Sequence, residues 1–375
     1  MQLSVIILNY NVRYFLEQCV LSVQKALEGI DGEIIVIDNN SSDDSCTMMK
    51  QQFPEIKLIS NSENLGFPKG NNIGVEQAKG EYICILNPDT IVAEDTFSKI
   101  LNPSNWNSNT GIIGCKLVDG AGNFLPESKR GIPTPWVSFT KIFGLYKISN
   151  LFGKYYAQHL SENQSGKVEI LVGAFMVMRK DLYTEMGGFD ENCFMYSDDI
   201  DLSYQALLKG KYNYYFHDTT VIHFKGESTV RDGTYMKRFQ EAMNFFYRKH
   251  FTVSFFFSIF MNIGIVLFSI VKRFQGTKFE KIKPDAYCLI SDRENKEELL
   301  HQLEKKFGTK FNDVVDESVK TEFVIDLSSL SCKKAIAFME NNKGKNHTFK
   351  LISSNAQFII GSNNSNDRGE VLILE

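Results

Sequence analysis

Three carboxylates, Asp198, Asp199 and Asp201, fall within four positions, directly after Phe194, Met195 and Tyr196. Carboxylates this crowded repel one another, so the cluster points to a cation, a base or a polar ligand. Residues 202–209 place Leu202, Ala206 and Leu207 near one helical face. The acids therefore sit in a first helical turn, where the helix dipole favours negative charge. One of them is expected to cap the helix, and capping needs only one. A second constellation lies upstream, where Asn87-Pro88-Asp89 ends a hydrophobic run. A carboxylate there can hold a divalent cation that bridges a diphosphate, although Asn-Pro-Asp also favours a plain turn. His223 follows another apolar run; alone, a histidine is more often structural than a ligand. On one sheet edge, Asp89, His223 and the acid cluster would make a site.

The elements that must position these groups alternate. Residues 3–8 are an unbroken apolar run, followed by a helical pattern over 13–28. The unit recurs, with runs at 33–37, 56–60 and 81–86 and helical stretches reaching about residue 53 and covering about 69–78. Strand–helix alternation with short connections predicts an α/β fold, a mostly parallel sheet with helices on both faces. Ligands of such sheets bind beyond the carboxyl ends of the strands. Here those ends carry Asn9, Asp38, Asn64 and Asp89. Further strands are expected at 112–118, 169–178 and 212–216, with the apolar stretch at 220–224 following the last. A helix is expected at 180–186 and a basic one at 231–249. The Pro- and Gly-containing segment 119–167 reads as irregular and substrate-facing, with short helices around 136–143.

The 375 residues are 43% hydrophobic, ample for a core, and their number suggests two domains or one large domain with an appendage. A net charge of -4 gives no nucleic-acid footprint. Seven scattered cysteines without a CxxC pair fit reduced thiols in a cytosolic compartment, and no basic leader precedes the first apolar run. Residues 251–271 carry no charge over 21 positions, a length that permits a membrane span. Lys and Arg on both flanks suit a monotopic segment dipping into one leaflet; a full span and a soluble core helix are the alternatives. Beyond Pro284 the pattern is a small βαβαβ unit without a recognisable site. The expected division is a catalytic domain over 1–230, a basic helix and membrane-associating segment over 231–283, and a small α/β domain over 284–375.

Several segments, in order, resemble glycosyltransferase family 2 with its GT-A fold. They are Ser4-Val-Ile-Ile-Leu-Asn-Tyr-Asn11, Val36-Ile-Asp-Asn-Asn-Ser-Ser-Asp43, Asn64-Leu-Gly-Phe67 with Gly70-Asn-Asn72, and Leu86-Asn-Pro-Asp89. Gly187-Gly-Phe-Asp190, Met195-Tyr-Ser-Asp-Asp-Ile-Asp-Leu202, and His223 with Gly226 and Ser228 complete the match. The subgroup resembles rhamnosyltransferase-type enzymes of bacterial polysaccharide synthesis. The resemblance implies that Asn9, Tyr10, Asp38, Asn40 and Asp43 shape the nucleotide pocket. It implies that Asn64, Gly66, Phe67, Lys69, Asn71 and Asn87 line the donor. Asp89 and His223 would hold Mn²⁺ or Mg²⁺; Asn87 replaces the first acid of the family's DxD motif. Asp199 matches the catalytic base. Asp198 stands where relatives commonly carry Glu, and with Gly187, Gly188, Phe189 and Asp201 it would support the site or face the acceptor.

The implied reaction is inverting transfer of a sugar from a nucleoside diphosphate, of dTDP-rhamnose or UDP-hexose type, to a hydroxyl of a saccharide or lipid-linked saccharide. The expected location is the cytoplasmic face of the inner membrane. A nucleotidyltransferase is the enzymatic rival, but it would need an early Gly-rich, basic phosphate loop, which Asn9-Tyr10-Asn11 does not offer. A catalytically inactive nucleotide- or glycan-binding module is the other rival, and the intact Asp89, Asp199 and His223 argue against it.

Overall fold

The structure, a computed structural model, describes residues 1–142, 144–145, 148–225, 233–251, 284–312, 319–345, 347–363 and 369–374. The expected membrane segment beyond Phe251 lies outside the described residues, as do Gly226 and Ser228.

The amino-terminal half winds as its apolar runs dictate. β1 (Leu3–Asn9), α1 (Arg13–Ala26), β2 (Gly32–Asp38), α2 (Ser45–Gln52), β3 (Lys57–Ser60), α3 (Gly66–Glu76) and β4 (Tyr82–Leu86) follow in order. β1 is buried along its whole length, so both faces of the sheet must be covered by helices. The four strands pair in parallel in the order β3-β2-β1-β4. Apolar layers of side chains lie on either face, one around Leu3, Val5 and Val36, the other around Ile6, Ile35 and Ile83.

The sheet then continues through strands from distant parts of the chain. β8 (Phe175–Arg179) lies antiparallel to β4, β6 (Thr110–Val118) antiparallel to β8, and β9 (Tyr212–His223) parallel to β6. β5 (Thr90–Ile91) closes the edge by pairing Thr90 with His223. β7 (Gly166–Val168) pairs with β9, and α4 (Thr96–Ile100) follows β5. The expected strand over 169–178 is realised only from Phe175, as β8; β7 ends before it, and 169–174 form a break between the two. There Ile170 pairs with Arg130 instead, and the backbone turns toward the acidic helix. Conversely, the stretches at 212–216 and 220–223 are one strand, whose register shifts opposite Cys115 and Lys116.

α5 (Pro135–Ile142), α6 (Lys180–Glu185), α7 (Asp198–Leu208) and α8 (Gly233–His250) complete this part. Tyr247 on α8 donates to the Pro133 carbonyl at 2.7 Å and lies 2.8 Å from Ser138 Oγ, joining α8 to α5. Among the described residues no helix is long and apolar enough to cross a membrane.

The carboxy-terminal part has β10 (Ala286–Ile290), α9 (Lys296–Phe307), β11 (Thr321–Asp326), α10 (Cys332–Asn342) and β12 (Thr348–Ile352). The three strands are parallel, as the βαβαβ pattern predicts. An antiparallel pair, β13 (Phe358–Gly361) and β14 (Glu370–Ile373), extends the sheet beyond that expectation. This sheet shares a core with the larger one. Phe15, Ile91, Ile222 and Phe224 pack with Phe323, Met339, Phe349 and Phe358. No disulfide joins any of the seven cysteines.

Candidate active site

The polar residues at the carboxyl ends of β1, β2 and β4 gather on one edge. At the end of β1, Asn9 is fully buried and donates to Asp38 Oδ1 at 2.8 Å and Ser41 Oγ at 3.0 Å. Asp38 Oδ2 accepts from Ser41 N at 2.9 Å, which folds the loop after β2 back over the strand ends. Tyr10 is half-buried, and Asn40 is exposed with a left-handed φ of 62°. Asp43 is spent on structure: it accepts from Arg13 N at 3.0 Å and from Ser45 N at 3.1 Å.

The wall comes from the start of α3. Asn64 Oδ1 accepts from Gly66 N at 3.0 Å and from Asn39 Nδ2 at 3.3 Å. Gly66 has φ +81°, and a Cβ there would sit 2.8 Å from the Phe194 ring, so this turn needs glycine on both counts. Phe67 N donates to Phe194 O at 3.0 Å, and the Phe67 ring meets Phe189 edge-on at 5.5 Å. Lys69 is exposed, whereas Asn71 is buried and donates to Phe67 O at 2.9 Å. Asn72 fastens α3 to the Gly187-Gly188-Phe189 turn by donating to Phe189 O at 2.9 Å and accepting from Phe189 N at 3.1 Å. Gly188, at φ +71°, leaves room for that contact. The loop that leads to the acid cluster is thus tied to the donor-side wall.

The cation-binding geometry depends on the β5–β9 pairing. Phe224 N donates to Asp89 O at 3.0 Å, which draws the end of β9 alongside Asp89. His223 Nε2 then lies 3.4 Å from Asp89 Oδ1 and 3.3 Å from Asn87 Nδ2. Asp89 and His223 are both buried, and among the described residues Asp89 Oδ1 has no hydrogen-bond partner. A buried carboxylate oxygen without a donor is costly unless a cation meets it. Oxygen and imidazole ligands converging this way fit Mn²⁺ or Mg²⁺. Among the described residues no third His, Cys, Asp or Glu joins them to make a three-ligand cluster. The remaining positions of such a cation would fall to a ligand or to solvent.

The acid cluster opens α7, but the cap is Ser197, and it makes no side-chain capping bond. The expectation that one of the acids caps the helix is corrected: all three lie inside the first turn and are buried. Their surroundings separate them. Asp201 is enclosed by Lys249 Nζ at 2.9 Å, His250 Nε2 at 2.5 Å and Gln205 Nε2 at 2.8 Å, and so anchors α8. Asp199 Oδ2 accepts from Arg130 Nη2 at 2.6 Å and from Gly173 N at 3.0 Å. Asp198 is pushed up to about 7, first by burial and then by the Asp199 charge.

One dipeptide links the two halves of this edge. Gly173 N bonds Asp199, and the adjacent Ala174 O accepts from Asn87 N at 3.0 Å. Phe67 also reaches it, 3.6 Å from where a Gly173 Cβ would stand. Asn87, Phe67 and Asp199 therefore share one turn. The sequence points to neither Arg130 nor Gly173, and it gives Asn39 and Asn72, which stand in the quoted segments, no role of their own. For Arg130 the available hint was its place in the irregular, substrate-facing segment. A separate cavity of about 600 Å³, lined by Tyr82, Trp106, Arg179 and Lys211, lies by the starts of β4, β6 and β9 and holds none of these groups. The convergence of buried acids, imidazole and strand ends is the better guide to chemistry than that cavity's size.

Residues 4–187 match the family model described as glycosyl transferase family 2. The chain is 25% identical over 241 residues to an N-acetylglucosaminyl-diphospho-decaprenol L-rhamnosyltransferase of Mycobacterium tuberculosis, covering 61% of this chain and 78% of that protein. It is 28% identical over 223 residues to rhamnosyltransferase WbbL of Escherichia coli, covering 54% of this chain and 78% of the relative. Over 168 residues it is 30% identical to a GalNAc(5)-diNAcBac-PP-undecaprenol beta-1,3-glucosyltransferase of Campylobacter jejuni, with 44% of this chain and 54% of that protein aligned. Residues 4–187, which carry these strand-end motifs, are therefore a glycosyl transferase family 2 domain, and the chain is similar to rhamnosyltransferases.

Proposed function

We propose that the chain moves one sugar, with inversion, from a nucleoside diphosphate to a hydroxyl of a lipid-linked saccharide during bacterial cell-surface polysaccharide synthesis. The observation that carries this reading is the shared turn at Gly173-Ala174, which joins the Asp89 arm to Asp199. A base and a diphosphate-binding arm are what a single displacement requires. Asp38 and Asn9 receive the base and ribose end of the donor, and Asn64, Phe67 and Lys69 flank its sugar and phosphates. Asp89 and His223 hold the divalent cation, which when bound offsets negative charge on the departing diphosphate. Asp199 takes the proton of the attacking hydroxyl. With one base and one displacement, the anomeric configuration inverts.

The acceptor class rests on the relatives, whose names specify a diphospho-decaprenol and a PP-undecaprenol acceptor. Those names include both rhamnosyl and glucosyl transfer, so dTDP-rhamnose and UDP-hexose are the donor classes to test. Catalysis is assigned to residues 1–230, contact with the cytoplasmic membrane surface to 231–283, and a smaller α/β sheet that packs on the catalytic part to 284–375. A nucleotide-sugar hydrolysis screen on purified protein with Mn²⁺ or Mg²⁺, followed by transfer to a polyprenyl-diphosphate-linked sugar, tests the reading. Release of a nucleoside diphosphate from one donor class is expected, and a product of inverted configuration by NMR. A retained configuration would rule out the single-displacement mechanism.

A further inference from the structure

Asp199 and Asp198 are consecutive buried carboxylates, and both flank Gly173. A Cβ on Gly173 would stand 3.3 Å from Asp199 Cβ and 3.6 Å from Asp198 Oδ2. Two such acids cannot both ionise cheaply, so the surroundings must choose which one carries the charge. The choice is built into the geometry. Arg130 Nη2 reaches Asp199 Oδ2 at 2.6 Å, while among the described residues no cation forms an ion pair with Asp198. Asp199 Oδ1 accepts no hydrogen bond from the described residues, which leaves one oxygen of this carboxylate for a substrate proton.

Arg130 is itself held in place. Its backbone pairs with Ile170 through two bonds of 2.9 Å, and Nη2 also donates to Leu171 O at 3.1 Å. Its side chain is about nine-tenths buried. Burial works against the guanidinium charge, but Asp199 and then Tyr155 more than offset it. Tyr155 is half-buried. Burial alone would raise its phenol, yet Lys141 and Arg130 bring it below its ordinary value. Lys141 Nζ lies 3.6 Å from the centre of the Tyr155 ring. The groups facing Asp199 are therefore Asp198 on its own helix, the Gly173 amide, and Arg130. Tyr155, Lys141 and Glu127 stand behind Arg130.

We propose that Arg130 is the positioning residue for the base: it ties Oδ2 of Asp199, keeps the charge on Asp199 rather than Asp198, and leaves Oδ1 to receive the acceptor proton. This rests on the reading of Asp199 as base. In the step, the acceptor oxygen forms its bond to the anomeric carbon as its proton passes to Oδ1. The bond to the diphosphate oxygen breaks, and its electron pair leaves on the diphosphate.

The test is the pH dependence of kcat/KM in the full chain for Arg130→Gln and Arg130→Lys, beside calorimetric donor binding. Arg130→Gln is expected to lower kcat by about 10–10²-fold, part of the range that general-base catalysis supplies. It is also expected to move the acid limb upward by about one pH unit or more, because an unpaired buried carboxylate holds its proton more tightly. Donor affinity should stay within about twofold, since Arg130 acts through Asp199. Arg130→Lys should recover part of both changes. The double variant Arg130→Gln/Asp198→Asn should return the limb toward its original position, because the competing acid is gone. If Arg130→Gln proves unstable on heating, Arg130→Lys decides by its limb. An Asp199→Asn variant that still turns over would unseat the base itself. An inactive Asp199→Asn with unmoved acid limbs in the Arg130 variants would overturn only the role of Arg130.

Discussion

Asp89 and His223 face each other across 3.4 Å although 134 residues separate them in sequence, and among the described residues neither His223 Nδ1 nor Asp89 Oδ1 has a hydrogen-bond partner. The two-residue strand β5 brings them together by pairing Thr90 with His223 and Ile91 with Ile222. A buried carboxylate oxygen without a donor, facing an imidazole nitrogen, makes poor structure and a good cation site.

From that pair comes a prediction about metal. Asp89→Asn and His223→Ala should each weaken Mn²⁺-dependent binding of a nucleoside diphosphate by about tenfold or more, while binding measured in chelator changes little. Calorimetry with and without Mn²⁺ reads the difference. Equal loss in both conditions would mean that the two residues hold the fold and not a cation.

Asp198 makes stability depend on pH. Its carboxyl is raised to about 7 by burial and by Asp199, above its value in the unfolded chain. A raised group contributes stability that is complete below its unfolded value, near 4, and is lost as pH climbs through about 7. Asp198→Asn should therefore match the parent near pH 4 and melt higher at pH 8, by at most a few kcal/mol. Thermal melts at both pH values decide it, and a difference independent of pH would contradict it.

The carboxy-terminal sheet should be needed for the catalytic half to stay folded. Phe349 is almost fully buried in the layer that also covers Phe15, Ile222 and Phe224. Phe349→Ala should cost about 3–5 kcal/mol. Because Phe224 directly follows His223, donor binding should weaken near the melting transition of this variant. A two-step melt, with full donor binding surviving loss of the carboxy-terminal part, would show that the shared layer is dispensable.

The membrane proposal has its own test. Lys345 is exposed on the carboxy-terminal part, whereas Cys288 is buried and unsuited to labelling. With the uncharged run 251–271 dipping into one leaflet, Lys345→Cys should resist a membrane-impermeant thiol reagent on intact cells and react after lysis. Labelling from outside would make the segment a span.

Much of this protein was legible in its chain. Strand and helix periods are local properties, so the four parallel strands, their polar ends at Asn9, Asp38 and Asp89, and the three acids at the head of α7 could be read directly. The break near residue 170 and the union of 212–216 with the stretch after it could not. Both depend on which strand lies alongside, and residues such as Ile170 satisfy either pattern. The difference between three neighbouring acids was also hidden. In sequence they are alike; in the fold, Asp201 meets Lys249 and His250, Asp199 meets Arg130 from 69 residues away, and Asp198 meets no ion-pair partner among the described residues. The chain by itself determined that carboxylates would stand at this sheet edge. Which of them is charged was decided only by tertiary structure, because charge depends on burial and on neighbours brought in through space.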